Sequence, residues 1–153
     1  MNTNNFPVQE FYELSQSLQR YHEIFASLWK ISKPRFSDEV DTAAVFFDKN
    51  GSCIDFVINQ DFWESIDDYK REFVICHEMG HVILSHGIRS LQFRSHYSSD
   101  VINIALDLAV NHLLISLFNF NRFMIDDWEY LCFCDTVLKE KDLEPNKSFE
   151  YYL

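Results

Sequence analysis

The residues best placed to do chemistry are His77-Glu78-Met79-Gly80-His81. On a helix, positions i and i+4 stand one turn apart on the same face. Two imidazoles so placed can reach one zinc ion at about 2.0–2.1 Å. Glu78 is rotated by about 100° from His77, so its carboxylate meets a water on the metal rather than the metal itself. Zinc brings the pKa of that water toward about 7, and Glu78 takes its proton. The expected chemistry is hydrolysis by an activated water.

A catalytic zinc takes three protein ligands and keeps one position open. His86 lies five residues after His81. On an unbroken helix it would sit about 140° away, so it is expected at the helix end or the cleft rim. Leu84 also stands where the longer H-E-x-x-H-x-x-G-x-x-H pattern requires glycine. Asp107 is the stronger third ligand. It sits in the segment Val101–Phe118, which is apolar on almost every side and therefore reads as a buried helix. Asp100, Asn103, Asp107 and Asn111 form one narrow polar stripe along it. An ionised carboxylate there is costly unless it is paired or bound to metal. The competing reading pairs Asp107 with Arg89, Arg94 or an imidazole. Asn111, one turn on, is placed to hold Asp107 or a histidine, or to tie down a loop. A donor to the oxyanion is expected among His86, Arg89, His96 and Tyr97.

These groups need a scaffold. The spacing of Phe11, Leu14, Leu18, Tyr21, Phe25 and Leu28 predicts one helix over residues 8–30. Thr42–Asp48 and Cys53–Asn59 are β-rich runs flanking Asn50-Gly51, a hairpin signal. Asp61 is a candidate cap for a short helix ending at Asp67 or Asp68. The motif helix is predicted from Tyr69 to His86, ending near Gly87. Further helices are predicted over 101–118 and 126–141, with a helical turn in 147–153. The fold class is therefore α+β: a mostly helical single domain over 1–153, with a small antiparallel sheet packed on the motif helix. Within it, 1–34 forms an N-terminal helix and 40–153 the core that carries the motif.

The 153 residues carry 13 Lys+Arg against 24 Asp+Glu, a net charge of −11. That argues against nucleic acid and against anionic membranes as partners. Apolar runs fall short of the roughly 20 residues that span a bilayer. No secretory signal opens the chain, and Cys53, Cys76, Cys132 and Cys134 read as reduced thiols. Together these lead us to expect a cytoplasmic protein.

The run Thr42-Ala-Ala-Val, Asn50-Gly51, Ile58-Asn59 and Phe62, then His77-Glu-Met-Gly-His81 through His86-Gly-Ile-Arg89, then Asn103-Ile-Ala-Leu-Asp107-Leu-Ala-Val-Asn111, resembles a predicted metallopeptidase family of bacteria and phages. Its members share H-E-x-x-H-x-x-x-x-H-x-x-R followed by N-x-A-x-D-x-x-x-N, often joined to a von Willebrand factor A-like domain. The tail Ser148-Phe-Glu-Tyr-Tyr-Leu153 is similar to that family's S-x-E-x-Y-x-L segment. Residues 71–84 are also similar to ImmA/IrrE-type peptidases, but Asp107-Leu-Ala-Val-Asn111 departs from their E-x-x-A-N-x-F-A helix, so that family ranks second. Both resemblances imply a zincin-like fold. In such folds an edge strand can hold a protein or peptide substrate by strand addition; the second hairpin strand, around Ile54–Asn59, is the candidate.

The resulting expectation is a zinc peptidase in which His77, His81 and Asp107 bind Zn²⁺ and Glu78 is the general base. The alternative is a non-catalytic, zinc-stabilised interaction module, for which a fourth protein ligand such as His86 would close the metal.

Overall fold

A computed structural model of the chain describes residues 4–129, 131–137, 139 and 142–153. Its architecture is α+β, with helices packed on a small mixed sheet. The strands are β1 (Asn4–Asn5), β2 (Arg35–Phe36), β3 (Ala43–Phe47) and β4 (Cys53–Ile58), in the order β1-β2-β4-β3. The hairpin is present: β3 and β4 pair antiparallel, with Val45 opposite Phe56. Its turn is a three-residue one, because Gly51 N–H bonds the Asp48 carbonyl at 3.0 Å and only Gly51 takes positive φ, at 81°. The sequence did not announce the flanking strands. β2 runs parallel to β4, and β1 pairs antiparallel to β2. β3 is consequently an edge strand, whereas β4, the expected substrate strand, lies inside the sheet.

The predicted helix over 8–30 is broken. Helix α1 covers Val8–Ser17, a 3₁₀ turn covers Leu18–Arg20, and α2 covers Glu23–Ser32. The cause is a buried carboxylate on the motif helix. Glu72 is nearly inaccessible and draws in Arg20 Nη2 at 2.6 Å and Tyr21 O–H at 2.5 Å. Turning both residues inward interrupts the helix, and His22 restarts it by accepting the Ile24 N–H. Burial and the adjacent Glu72 push the Tyr21 phenol far up, so it stays a donor.

Asn59, not Asp61, caps helix α3 (Gln60–Ser65) by accepting the Phe62 N–H. Asp67 caps helix α4 (Asp68–Ile83), which carries the histidine motif. It ends three residues earlier than predicted. Ser85 adopts φ of 55° and starts the short helix α5 (His86–Arg89) in a new direction. The glycine that suggested a cap at residue 87 serves close packing instead. A Cβ on Gly87 would stand 2.4 Å from the Phe47 ring and 2.7 Å from the Gly51 carbonyl.

Helix α6 (Ser99–Leu117) forms as expected, with Ser98 capping it. By length and hydropathy alone it could cross a membrane. Here it packs against α4 and against helix α8 (Phe149–Tyr152), the predicted turn in the tail. The long helix expected over 126–141 is absent from the described residues. They hold a 3₁₀ turn at Arg122–Met124 and helix α7 (Cys134–Val137). The Cys132 carbonyl is instead claimed by Asn111, and the Phe133 N–H by Thr136 Oγ1, which takes both groups out of helical bonding.

The core joins the layers through Phe6, Phe25, Trp29, Phe56, Trp63, Phe73 and Ile75. Burying each such side chain contributes about 1.5–3 kcal/mol. Gly80 sets the distance between α4 and α6: a Cβ there would lie 2.6 Å from Val110 Cγ1, inside a fully buried contact. Gly80→Ala should therefore cost about 1–3 kcal/mol and lower the melting temperature by several degrees, about 2–4 °C per kcal/mol. Thermal denaturation checks this. Adding Val110→Ala should recover part of the loss; two purely additive losses would refute the steric cause.

Candidate metal centre

Helices α4 and α6 cross so that the motif face of one meets the polar stripe of the other. His77 and His81 lie one turn apart on α4, and Asp107 faces them from α6. His77 Nε2 and His81 Nε2 are 3.0 Å apart, and Asp107 Oδ1 lies 3.4 Å from the first and 3.3 Å from the second. The sequence-predicted ligand set is thus brought together, and among the described residues these three form the one cluster of histidine, cysteine or carboxylate groups suited to a metal. The triangle fits a cation. Four ligands at about 2.0–2.1 Å around a tetrahedral zinc stand about 3.3 Å from one another. Two nitrogens and one carboxylate oxygen are also a donor set that zinc accepts.

The electrostatics agree with a cation-seeking site. Burial opposes charge on His77, but the Asp107 carboxylate overcomes it and raises the imidazole to about 9. Burial would raise Asp107 as well, yet the two imidazoles hold it well below the usual carboxylate range. Neither Arg89 nor Arg94 pairs with it. Arg89 is held by Glu150 at 2.6 Å instead.

Each histidine is gripped from behind. His77 Nδ1 lies 2.7 Å from Asn111 Oδ1. The amide's orientation follows from its other end, where Nδ2 donates to the Cys132 carbonyl at 3.0 Å. Asn111 therefore performs both roles anticipated for it, holding a histidine and tying down a loop. His81 Nδ1 lies 2.9 Å from His86 Nδ1, a partner missed because an unbroken helix would have turned His86 away. Burial, with His81 and Arg89 nearby, lowers His86 to about 3.

Glu78 is buried beside the triad. Its Oε2 accepts the Val45 N–H at 3.0 Å, which joins the motif helix to edge strand β3. Burial raises its pKa, against the pull of the two histidines.

A cavity of about 640 Å³ opens over these groups. Ala43, Ala44, Val45 and Phe47 of β3 form one wall. Phe62, Phe73, Trp128 and Leu131 make an apolar end next to His77. Beyond Asp107, toward the start of α6, the lining turns polar with Ser99, Asn103, Arg94 and Tyr97. Of the four residues considered for the oxyanion, Tyr97 and His86 line the cavity, whereas Arg89 and His96 do not. No sequence signal pointed to Trp128 or Leu131, because a helix was expected there.

A family model described as a putative metallopeptidase domain matches residues 10–118, which include α4, α6 and the whole triad. No curated protein and no solved structure matches the chain.

Proposed function

Since this chain belongs to the family described as a putative metallopeptidase domain, we propose that it is a zinc-dependent peptidase of the H-E-x-x-H type. The observation that carries this reading is the triangle of His77 Nε2, His81 Nε2 and Asp107 Oδ1, with edges of 3.0–3.4 Å, beside a buried carboxylate. His77, His81 and Asp107 hold the ion. Zinc, when bound, supplies Lewis acidity that polarises a carbonyl and makes water nucleophilic near neutral pH.

The chain's own groups do the rest. Glu78 is the general base. Its Oε2 is occupied by the Val45 N–H, so Oε1 is the atom that takes the proton from the attacking water and returns it to the leaving amine. Burial, by raising the Glu78 pKa, makes that carboxylate a better proton acceptor. Tyr97 and Arg94, at the polar end of the cavity, supply donors for developing negative charge. The substrate is a protein or peptide segment laid along β3, the edge strand. Its apolar side chain enters the pocket of Phe62, Phe73, Trp128 and Leu131.

The test is digestion of a peptide library by the zinc-loaded protein, read by mass spectrometry. Cleavage beside apolar residues is expected, abolished by a chelator and restored by zinc. A zinc-loaded protein that cuts nothing in the library would sink the enzymatic reading in favour of a metal-stabilised interaction module.

A further inference from the structure

His86 is 1% exposed, yet its Nε2 has no hydrogen-bond partner. A leucine would fill such a place without stranding a polar atom, so the imidazole calls for an explanation. The explanation lies at its other nitrogen. Resting on the zinc reading above, we propose that His86 is a positioning residue, whose Nδ1 accepts the His81 Nδ1–H and so presents the bare Nε2 of His81 to the metal.

The hydrogen bookkeeping leaves one arrangement. A neutral imidazole carries one ring hydrogen. For His81 to ligate through Nε2, which faces His77 and Asp107, its hydrogen must sit on Nδ1. The acceptor 2.9 Å from that atom is His86 Nδ1. His86 must then carry its own hydrogen on Nε2, the stranded atom. The arrangement parallels the one behind His77, where the Asn111 amide oxygen is the acceptor. Each histidine of the motif thus has its tautomer set from behind by a different element, α6 for His77 and α5 for His81.

His86 is in turn fixed by the end of the chain. The fully buried Phe149 ring meets it edge-on at 5.2 Å. Glu150 clamps Arg89, whose guanidinium lies 5.0 Å from the Phe149 ring centre and whose Nη1 donates to the Leu84 carbonyl at 2.8 Å. These contacts hold the Ser85 turn that brings His86 back onto His81. Residues 149–150 lie beyond the region matched by the family model.

The experiment is zinc affinity by chelator competition for the full chain, comparing wild type, His86→Leu and His86→Asn, with circular dichroism confirming the fold. His86→Leu keeps the volume but removes the acceptor and should weaken zinc binding by about 10–100-fold. His86→Asn, which supplies an amide oxygen, should recover most of that. A zinc-binding wild type with unchanged affinity in folded His86→Leu overturns the proposal alone; a wild type that takes up no zinc overturns the metal reading as well. Should His86→Leu not fold, long-range ¹H–¹⁵N spectra of the zinc-loaded wild type decide. Hydrogen on His81 Nδ1 and His86 Nε2 supports the proposal, and hydrogen on His86 Nδ1 overturns it.

Discussion

Glu78→Gln should leave a protein that folds and holds zinc but has lost its turnover. The substitution removes a buried base and little else. Glutamine keeps an oxygen for the Val45 N–H, which Glu78 Oε2 accepts at 3.0 Å. It also removes a charge that burial disfavours, so no loss of thermal stability is expected. General-base catalysis contributes typically about 10²–10⁴-fold, and kcat should fall by at least that much. Parallel assays of zinc content, melting temperature and kcat check the result. A variant as active as wild type would remove Glu78 from the mechanism.

Asp107→Ala should have the opposite signature, losing the metal itself. A full set of zinc ligands is worth about 10–16 kcal/mol, so each of four bonds carries about 2.5–4 kcal/mol. Removing one should therefore weaken binding by about 100- to 1,000-fold. The variant should purify with little zinc, while wild type prepared alongside retains about one ion per chain. Asp107 also draws the His77 imidazole up to about 9, so its loss removes the anion that balances the two histidines. Equal zinc content in the two proteins would mean that the ion sits elsewhere or that Asp107 is only a hydrogen-bond partner.

The parts of the site legible in sequence were those set by helical periodicity. His77 and His81 are four apart, and Asp107 and Asn111 are four apart. Both pairs lie on continuous helices, so spacing translates directly into a shared face. The hairpin was legible through Asn50-Gly51 for the same local reason. What escaped depends on tertiary partners. The reversal at Ser85 puts a non-glycine residue at positive φ, and the nearby Gly87 pointed to a helix end three residues too late. The break after Ser17 exists because Arg20 and Tyr21 answer Glu72, about fifty residues away along the chain. Two-residue strands carry no periodicity to read, so neither β1 nor the parallel pairing of β2 could be foreseen. Around Trp128 and Leu131, where a helix was expected, the side chains serve separate contacts, with Trp128 stacked on Phe62 at 5.8 Å. ImmA/IrrE-type membership found no support beyond the motif itself.

The placement of the triad along the chain bears on the order in which the molecule assembles. His77, His81 and Asp107 fall within one stretch made of α4, α5 and α6. Closing a loop of that length is cheap in entropy, and each doubling adds only about 0.6 kcal/mol. The reach of Arg20 to Glu72 and the seating of Phe149 on His86 both span longer separations. Contacts between near neighbours in sequence form faster than those between distant ones. The helical hairpin that carries the donors can therefore come together before either terminus is in place. A cation captured at that stage would act as a folding nucleus, and the two ends of the chain would close over a centre already formed.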